Sequence, residues 1–155
     1  MRFDETCLQN LFNGSKLAVA LTGTKQDTPR PAGVFPGSFN PFHQGHRQML
    51  TVAREVLQHP VDLEISIENV DKPDLSAAEI AQRVSHFPAE QIVWVTRAAT
   101  FAEKSRLFPD CTFVVGVDTI QRIAAVEYYH DSCAASEAIE EIRSHHCRFL
   151  VFGRL

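Results

Sequence analysis

Residues Gly33 to His46, which read GVFPGSFNPFHQGH, constrain the fold of this chain more than any other segment. An apolar run over 32–35 is followed by a turn of small residues and then by His43 and His46, with Gly45 directly before the second histidine. A helical pattern of apolar residues begins at once. A strand that passes through a glycine-containing turn into a helix is typical of phosphate-binding sites, because backbone N–H groups are exposed there.

The flanking residues predict where this strand and helix lie. Residues 32–35 should form a short buried strand that ends at Pro36, and Asn40-Pro41 marks a turn because a proline holds the preceding residue out of the helical region. The helix should begin at Gln44 and end at His59-Pro60. One stripe of apolar side chains is predicted to face the core: Met49, Leu50, Ala53, Val56 and Leu57.

The two histidines suit phosphate chemistry. At a helix N-terminus and three residues apart, they can face the same way toward an anion. Imidazoles donate hydrogen bonds to phosphate oxygens and can become cationic near neutral pH, while Gly45 leaves room for a phosphate against the turn. Two other interpretations stay open: capping or surface histidines, and metal ligands. We predict no metal site, because two histidines lack an evident third ligand nearby.

The rest of the chain alternates strands and helices, which predicts one α/β domain with a parallel sheet covered on both faces. Residues 1–31 are expected to form an N-terminal extension with a short helix, a strand over 16–21 and a polar linker over 22–31. Residues 32–155 are expected to form the main domain. Further strands are predicted over 61–67, 91–96, 111–116 and 148–152, with helices over 76–87, 100–107, 118–126 and 136–145.

Polar or small residues follow several of the predicted strands, where ligands bind in open α/β sheets. Gly116 comes directly after a β-branched run, which favours close approach of another backbone or a ligand. Asp118 could cap the next helix or bond a ribose hydroxyl, and the sequence does not separate these alternatives. Asn69, Asp71 and Arg97 fit an ordinary polar strand end equally well.

The run GSFNPFHQGH resembles the GSFNPxHxGH signature of the HxGH nucleotidylyltransferase superfamily, which includes nicotinamide mononucleotide, phosphopantetheine and cytidylyl transferring enzymes. The segments 69–73 and 96–122 also resemble nicotinamide-nucleotide adenylyltransferase-like proteins. The likeness covers about residues 33–154.

The resemblance implies a Rossmann-like, doubly wound parallel sheet with helices on both faces. It also implies transfer of an adenylyl group from ATP, with Mg²⁺, to a small phosphorylated acceptor. Nicotinamide mononucleotide is the expected acceptor, while phosphopantetheine and a CTP-using reaction stay open. His43 and His46 are the expected catalytic residues. Nucleotide contacts are expected from Gly37, Ser38, Phe39, Gly45, Gly116 and Asp118, and further phosphate or acceptor contacts from Lys72 and Arg97.

One departure separates the chain from the pattern it resembles. The superfamily carries a later I-S-S-T-x-x-R element that contacts the ATP phosphates, and this sequence contains no such run. We therefore expect either a C-terminally truncated domain or the loss of that element, and Arg154 is not assumed to replace its arginine. The alternative function is a non-catalytic nucleotide-binding module.

Composition narrows the class of protein. The formal net charge of −4 gives no basic surface for nucleic acid. The four cysteines form no CxxC pair and are expected to be reduced thiols, and a metal fragment at His145-His146-Cys147 is a less favoured alternative to a helix end.

No signal or membrane-spanning run is visible, so a cytoplasmic protein with no membrane partner is expected. Unpaired sheet edges favour a homo-oligomer.

Overall fold

The computed structural model describes residues 5–21, 28–125 and 132–153. The predicted linker over 22–31, the predicted helix end at Val126 and Arg154 therefore lie partly or wholly outside the described residues. After a 3₁₀ turn at Glu5–Leu8, the helices are α1 (Gln9–Phe12), α2 (Gln44–Leu57), α3 (Ala77–Val84), α4 (Phe101–Leu107), α5 (Val117–Ala124) and α6 (Ser132–Ser144). The strands are β1 (Ala18–Leu21), β2 (Gly33–Pro36), β3 (Asp62–Ser66), β4 (Val93–Thr96), β5 (Thr112–Gly116) and β6 (Arg148–Phe152).

The described strands form one sheet in the order β1-β4-β3-β2-β5-β6. Strands β2 to β6 pair in parallel, and the chain returns from β4 across β3 and β2 to β5, which is the doubly wound, Rossmann-like α/β arrangement that the sequence predicts. The strand order reverses beside β2, so its carboxyl end is the place where such folds bind ligands.

Strand β1 differs from the parallel prediction, because it pairs antiparallel with β4 at the edge of the sheet. Leu8 and Leu11 from the preceding turn and helix are fully buried in the larger core cluster. Residues of the predicted extension thus share the sheet and core of the main domain, while the boundary at residue 31 stays a prediction.

Local sequence signals set several helix boundaries. The Ser76 hydroxyl accepts a hydrogen bond from the Glu79 N–H at the start of α3, and the Glu79 carboxylate accepts one from the Ser76 N–H. These two bonds confirm the predicted capping box. Helix α2 begins at Gln44 as predicted. Its predicted apolar stripe is wrong at Val56, which is 59% exposed, while Leu50 and Ala53 are buried. Within the described ranges, no helix is long and apolar enough to cross a membrane.

Candidate active site

The loop after β2 is held by an aromatic cluster beneath it. Phe39 adopts a left-handed backbone conformation with φ 46°, yet its side chain is only 2% exposed. Its ring makes edge contacts with Phe35, Phe42 and Phe87 at centroid distances of 5.2–5.6 Å. The Phe39 side chain is therefore part of the core, and a contact with nucleotide there would have to come from its backbone.

Gly37 is required by the same packing. A Cβ at this position would lie 2.9 Å from the Phe39 ring, which is closer than real Cβ atoms come to another group. The Gly37 N–H donates to the Glu64 carbonyl at 3.1 Å and ties the loop to β3. The sequence predicts a bare backbone for an anion at Gly37, and the structure adds that the glycine lets the aromatic cluster close under the turn.

His43 and His46 form a reciprocal cap on α2. His43 is the N-cap residue, and its Nδ1 accepts from the Gly45 N–H at 3.1 Å. His46 Nδ1 accepts from the His43 N–H, also at 3.1 Å, and the two rings stack with centroids 3.7 Å apart. This is a capping box built from imidazoles instead of a hydroxyl and a carboxylate.

The cap also fixes the tautomer of both rings. A neutral imidazole carries one proton, and a nitrogen that accepts an N–H bond cannot hold it. Both Nδ1 atoms accept backbone bonds, so the proton of each neutral ring lies on Nε2. Capping and phosphate binding are therefore compatible functions, since they use opposite nitrogens of the same ring.

His46 is held in its neutral form. Partial burial, and secondarily the charge of His43, lowers the pKa of His46 from 6.5 to about 4. Its ring lies 5.0 Å from the Phe39 centroid and stacks on Phe42 at 5.5 Å. In the unliganded fold this imidazole is neutral near pH 7, because burial disfavours its charged form; its state with phosphate bound stays a prediction.

The absence of a side chain at Gly45 makes room for the helix cap formed by His43. A Cβ at Gly45 would lie 3.0 Å from His43 Cε1 and 3.2 Å from its Nδ1. The missing side chain thus lets the His43 ring fold back over the first turn of α2. Its predicted contact with nucleotide stays a prediction.

A cavity of about 180 Å³ opens at the carboxyl ends of β2 and β3. Gly37 and Ser38 form one side of it, and Thr119 of α5 and Phe101 of α4 reach it from the opposite side of the sheet. Two predicted residues therefore line one cavity at the expected ligand-binding end of the sheet.

An ion pair that the sequence analysis missed lies in the lining of this cavity. Lys104 Nζ donates to both carboxylate oxygens of Glu64, at 2.8 and 2.9 Å, and to the Ala98 carbonyl at 2.9 Å. Thr96 Oγ1 donates to the same carboxylate at 2.8 Å. Glu64 is 1% exposed and Lys104 is 6% exposed. The signal in the sequence was a glutamate between two apolar residues of a strand that is otherwise buried.

Arg83 is a second residue that the sequence analysis missed. It lies on α3, is partly buried, lines the cavity and donates from Nη1 to the Ser38 carbonyl at 3.1 Å. A guanidinium has five N–H donors, so this one bond leaves further donors for an anion at the same loop. In the sequence Arg83 lies inside the helix predicted over 76–87, and nothing there indicates this contact.

Three further residues predicted to contact the substrates lie at the start of α5 and on the loop after β3. Gly116 is the N-cap of α5, and a Cβ there would meet nothing within 4 Å. Asp118 is exposed in the first turn of α5, so the alternative that it is the N-cap residue is wrong. Lys72 is exposed on the loop after β3.

The Arg97 guanidinium contacts other groups of the protein on two sides. Its guanidinium bonds Glu68 at 2.8 Å, approaches Asp74 at 3.6 Å and donates to the Leu11 carbonyl at 2.9 Å. It lines a second cavity of about 300 Å³, of which Glu68 is also part. The guanidinium therefore fastens α1 to the loop after β3, and its predicted phosphate contact stays a prediction.

A family model described as cytidylyltransferase-like matches residues 34–154. The match begins in β2 and takes in the histidine motif, the cavity at the strand ends and the strands through β6. Among curated proteins, none matches the chain at a significant level.

Proposed function

This chain belongs to the cytidylyltransferase-like family, and from that premise we propose that it transfers an adenylyl group from ATP to a phosphorylated acceptor. Family membership supports nucleotidyltransferase activity in general; the donor and the acceptor are our proposal. A phosphate oxygen of the acceptor attacks the α-phosphorus of the triphosphate in line. The bond from the α-phosphorus to the bridging oxygen then breaks, and pyrophosphate leaves with that electron pair.

The observation that carries this proposal is the pair of Nε2–H donors on adjacent, stacked imidazoles. Both rings are turned by their Nδ1 bonds to the backbone at the start of α2. Nucleotidyl transfer needs positioning and stabilisation of charge on phosphate oxygens more than covalent participation by the protein. Two donors that are oriented before the substrate arrives supply this without a cost in reorganisation.

A neutral His46 suits this function. Its pKa of about 4 means that the ring keeps its Nε2 proton as a hydrogen-bond donor throughout the physiological pH range. The donor strength of this ring therefore does not depend on its own titration near neutrality. The ring stabilises charge by donation and takes no proton from the acceptor.

The positive charge at the site comes from arginine and from the metal ion of the substrate. Arg83 reaches the motif loop and has donors left for a phosphate oxygen. Mg²⁺ is proposed to arrive as the complex with ATP, held by triphosphate oxygens and water, because Mg²⁺ at nucleotide sites keeps most of its ligands outside the protein.

The cavity beside the motif loop is proposed as the acceptor site. Its lining is polar and of mixed charge, with the Glu64–Lys104 pair in one wall and the Phe101 ring in another. All three ammonium protons of Lys104 are used within the protein and the Glu64 carboxylate is buried, so contacts to a hydroxyl or amide of the acceptor are left to more exposed groups of the lining such as the Asn69 side chain. An amide-bearing mononucleotide such as nicotinamide mononucleotide fits this description, and a CTP-using reaction is the alternative.

Pyrophosphate release tests the proposal. Purified protein is incubated with Mg²⁺ and either ATP or CTP, against nicotinamide mononucleotide, its carboxylate analogue, phosphopantetheine and phosphocholine. We expect release that depends on one acceptor and is lost in His46→Asn, with Ser144→Ala on α6 as a variant outside the site. Binding of ATP without release from any acceptor would support the alternative of a non-catalytic nucleotide-binding module and overturn the proposed transferase.

A further inference from the structure

Two cysteines lie side by side at the amino ends of β5 and β6. Thr112 and Arg148 are partners in the parallel register, so Cys111 and Cys147, each one residue earlier, continue that pairing. The Arg148 N–H donates to the Cys111 carbonyl at 3.0 Å, which shows that the pairing extends to this point. Neighbouring strands lie about 4.8 Å apart. This separation falls within the range of about 4.4–6.8 Å between Cα atoms that a disulfide spans.

Both thiols point into the same cluster. Cys111 is fully buried with Phe108 and Phe113, and Cys147 packs against that cluster while partly exposed. Cys147 Sγ donates to the Phe108 carbonyl oxygen at 3.3 Å, and side chains of register partners in parallel strands lie on the same face of the sheet. The side chains therefore face each other across the strand gap.

The environment makes the two thiols unequal. Interaction with Cys111 lowers the pKa of Cys147, while interaction with Cys147, together with burial, raises the pKa of Cys111. The half-buried thiol therefore ionises before the buried one. A thiolate that solvent can reach, next to a second thiol, is the arrangement that peroxide-sensitive cysteine pairs share.

We propose that Cys111 and Cys147 form an oxidation site, at which hydrogen peroxide converts the pair to an intramolecular disulfide. The Cys147 thiolate attacks peroxide and becomes a sulfenic acid, and hydroxide leaves. The Cys111 sulfur then attacks the sulfenic sulfur, its proton passes to the departing oxygen, and water leaves as the S–S bond forms. In total, two thiols and one peroxide give one disulfide and two waters.

The position of Cys111 and Cys147 in the sheet determines what their oxidation would change. The candidate active site lies at the carboxyl ends of the strands, and the cysteines lie at the opposite edge of the sheet. A disulfide there would close a loop of about 36 residues, and loops of this length give substantial stabilisation by restricting the unfolded chain. The oxidised form should therefore be more stable while its substrate site is unchanged.

Peptide mapping after oxidation tests this inference. The full chain is treated with hydrogen peroxide, the remaining thiols are alkylated, and the digest is compared with and without reductant. We expect a mass decrease of about 2 Da for the intact protein, a linked peptide that contains Cys111 and Cys147, and a rise in Tm of roughly 5–10 °C that reductant reverses.

Two serine variants serve as controls. Cys133 is exposed on α6, so Cys133→Ser should leave the linked peptide and the Tm shift in place. Cys147→Ser should abolish both. A sulfinic acid at Cys147, a link through Cys7 or Cys133, or two free thiols after oxidation would overturn the inference. None of these readouts depends on nucleotidyl transfer, so failure of the proposed enzyme activity would leave this test intact.

Discussion

Replacing Lys104 by methionine should destabilise the protein strongly, because it leaves a buried carboxylate without its cation. Methionine retains most of the volume of the lysine stem but none of the three hydrogen bonds that the ammonium donates. Glu64, 1% exposed, would keep only the bond from Thr96. Removal of one partner from a buried ion pair costs about 3–5 kcal/mol.

Removing both charges separates the cost of the orphaned carboxylate from the loss of packing. In the double variant Glu64→Gln/Lys104→Met, the glutamine carbonyl can still accept from Thr96 and no buried charge remains. Well-satisfied neutral groups replace buried ion pairs with little loss of stability. The double variant should therefore recover more than half of the stability that Lys104→Met loses.

Urea denaturation at pH 7 measures both variants, with the free energy of unfolding obtained by linear extrapolation. The expected order of stability is wild type, then the double variant, then Lys104→Met. A loss below about 1 kcal/mol in Lys104→Met would refute the reasoning, since surface ion pairs give losses of that size. A double variant less stable than Lys104→Met would also refute it.

Three further predictions follow from the loop, a helix cap and one histidine. Gly37→Ala should cost about 1–3 kcal/mol in unfolding free energy, because its Cβ would meet the Phe39 ring at 2.9 Å; Gly116→Ala, with open space around its Cβ, is the matched control. Ser76→Ala should cost about 1 kcal/mol in the same assay through loss of the α3 cap. Unfolded His46 binds a proton below 6.5 and folded His46 only below about 4, so stability should fall as pH drops through that window. The fall should be roughly 2 kcal/mol larger than in His46→Asn, measured by urea titrations across pH.

Features encoded by neighbouring residues could be predicted from the sequence. The Ser76–Glu79 capping box and the start of α2 depend on residues three or four apart, and both lie where the sequence places them. The alternation of strands and helices likewise predicts a parallel sheet covered on both faces. The antiparallel pairing of β1 with β4 joins residues 72 to 78 positions apart, and no local pattern encodes such a pairing.

The chemical environment of the candidate site depended on tertiary contacts. Glu64 and Lys104 are 40 residues apart, and only the tertiary fold brings their charges together. The neutral state of His46 depends on its burial in the folded loop and on the neighbouring His43. The sequence placed Phe39 in the nucleotide site because of its motif, whereas its burial follows from the aromatic cluster that the folded loop creates.

The rate of pyrophosphate release in two His46 variants tests the central claim most directly. An asparagine amide matches Nδ1 of the imidazole and keeps the acceptor for the His43 N–H, but it lacks the Nε2 donor. A glutamine amide matches Nε2 and keeps the donor. The account predicts that His46→Asn loses on the order of 10²–10³ in rate while His46→Gln retains most of it. A wild-type rate in His46→Asn, or no release by the unmodified protein with any acceptor, would contradict the account.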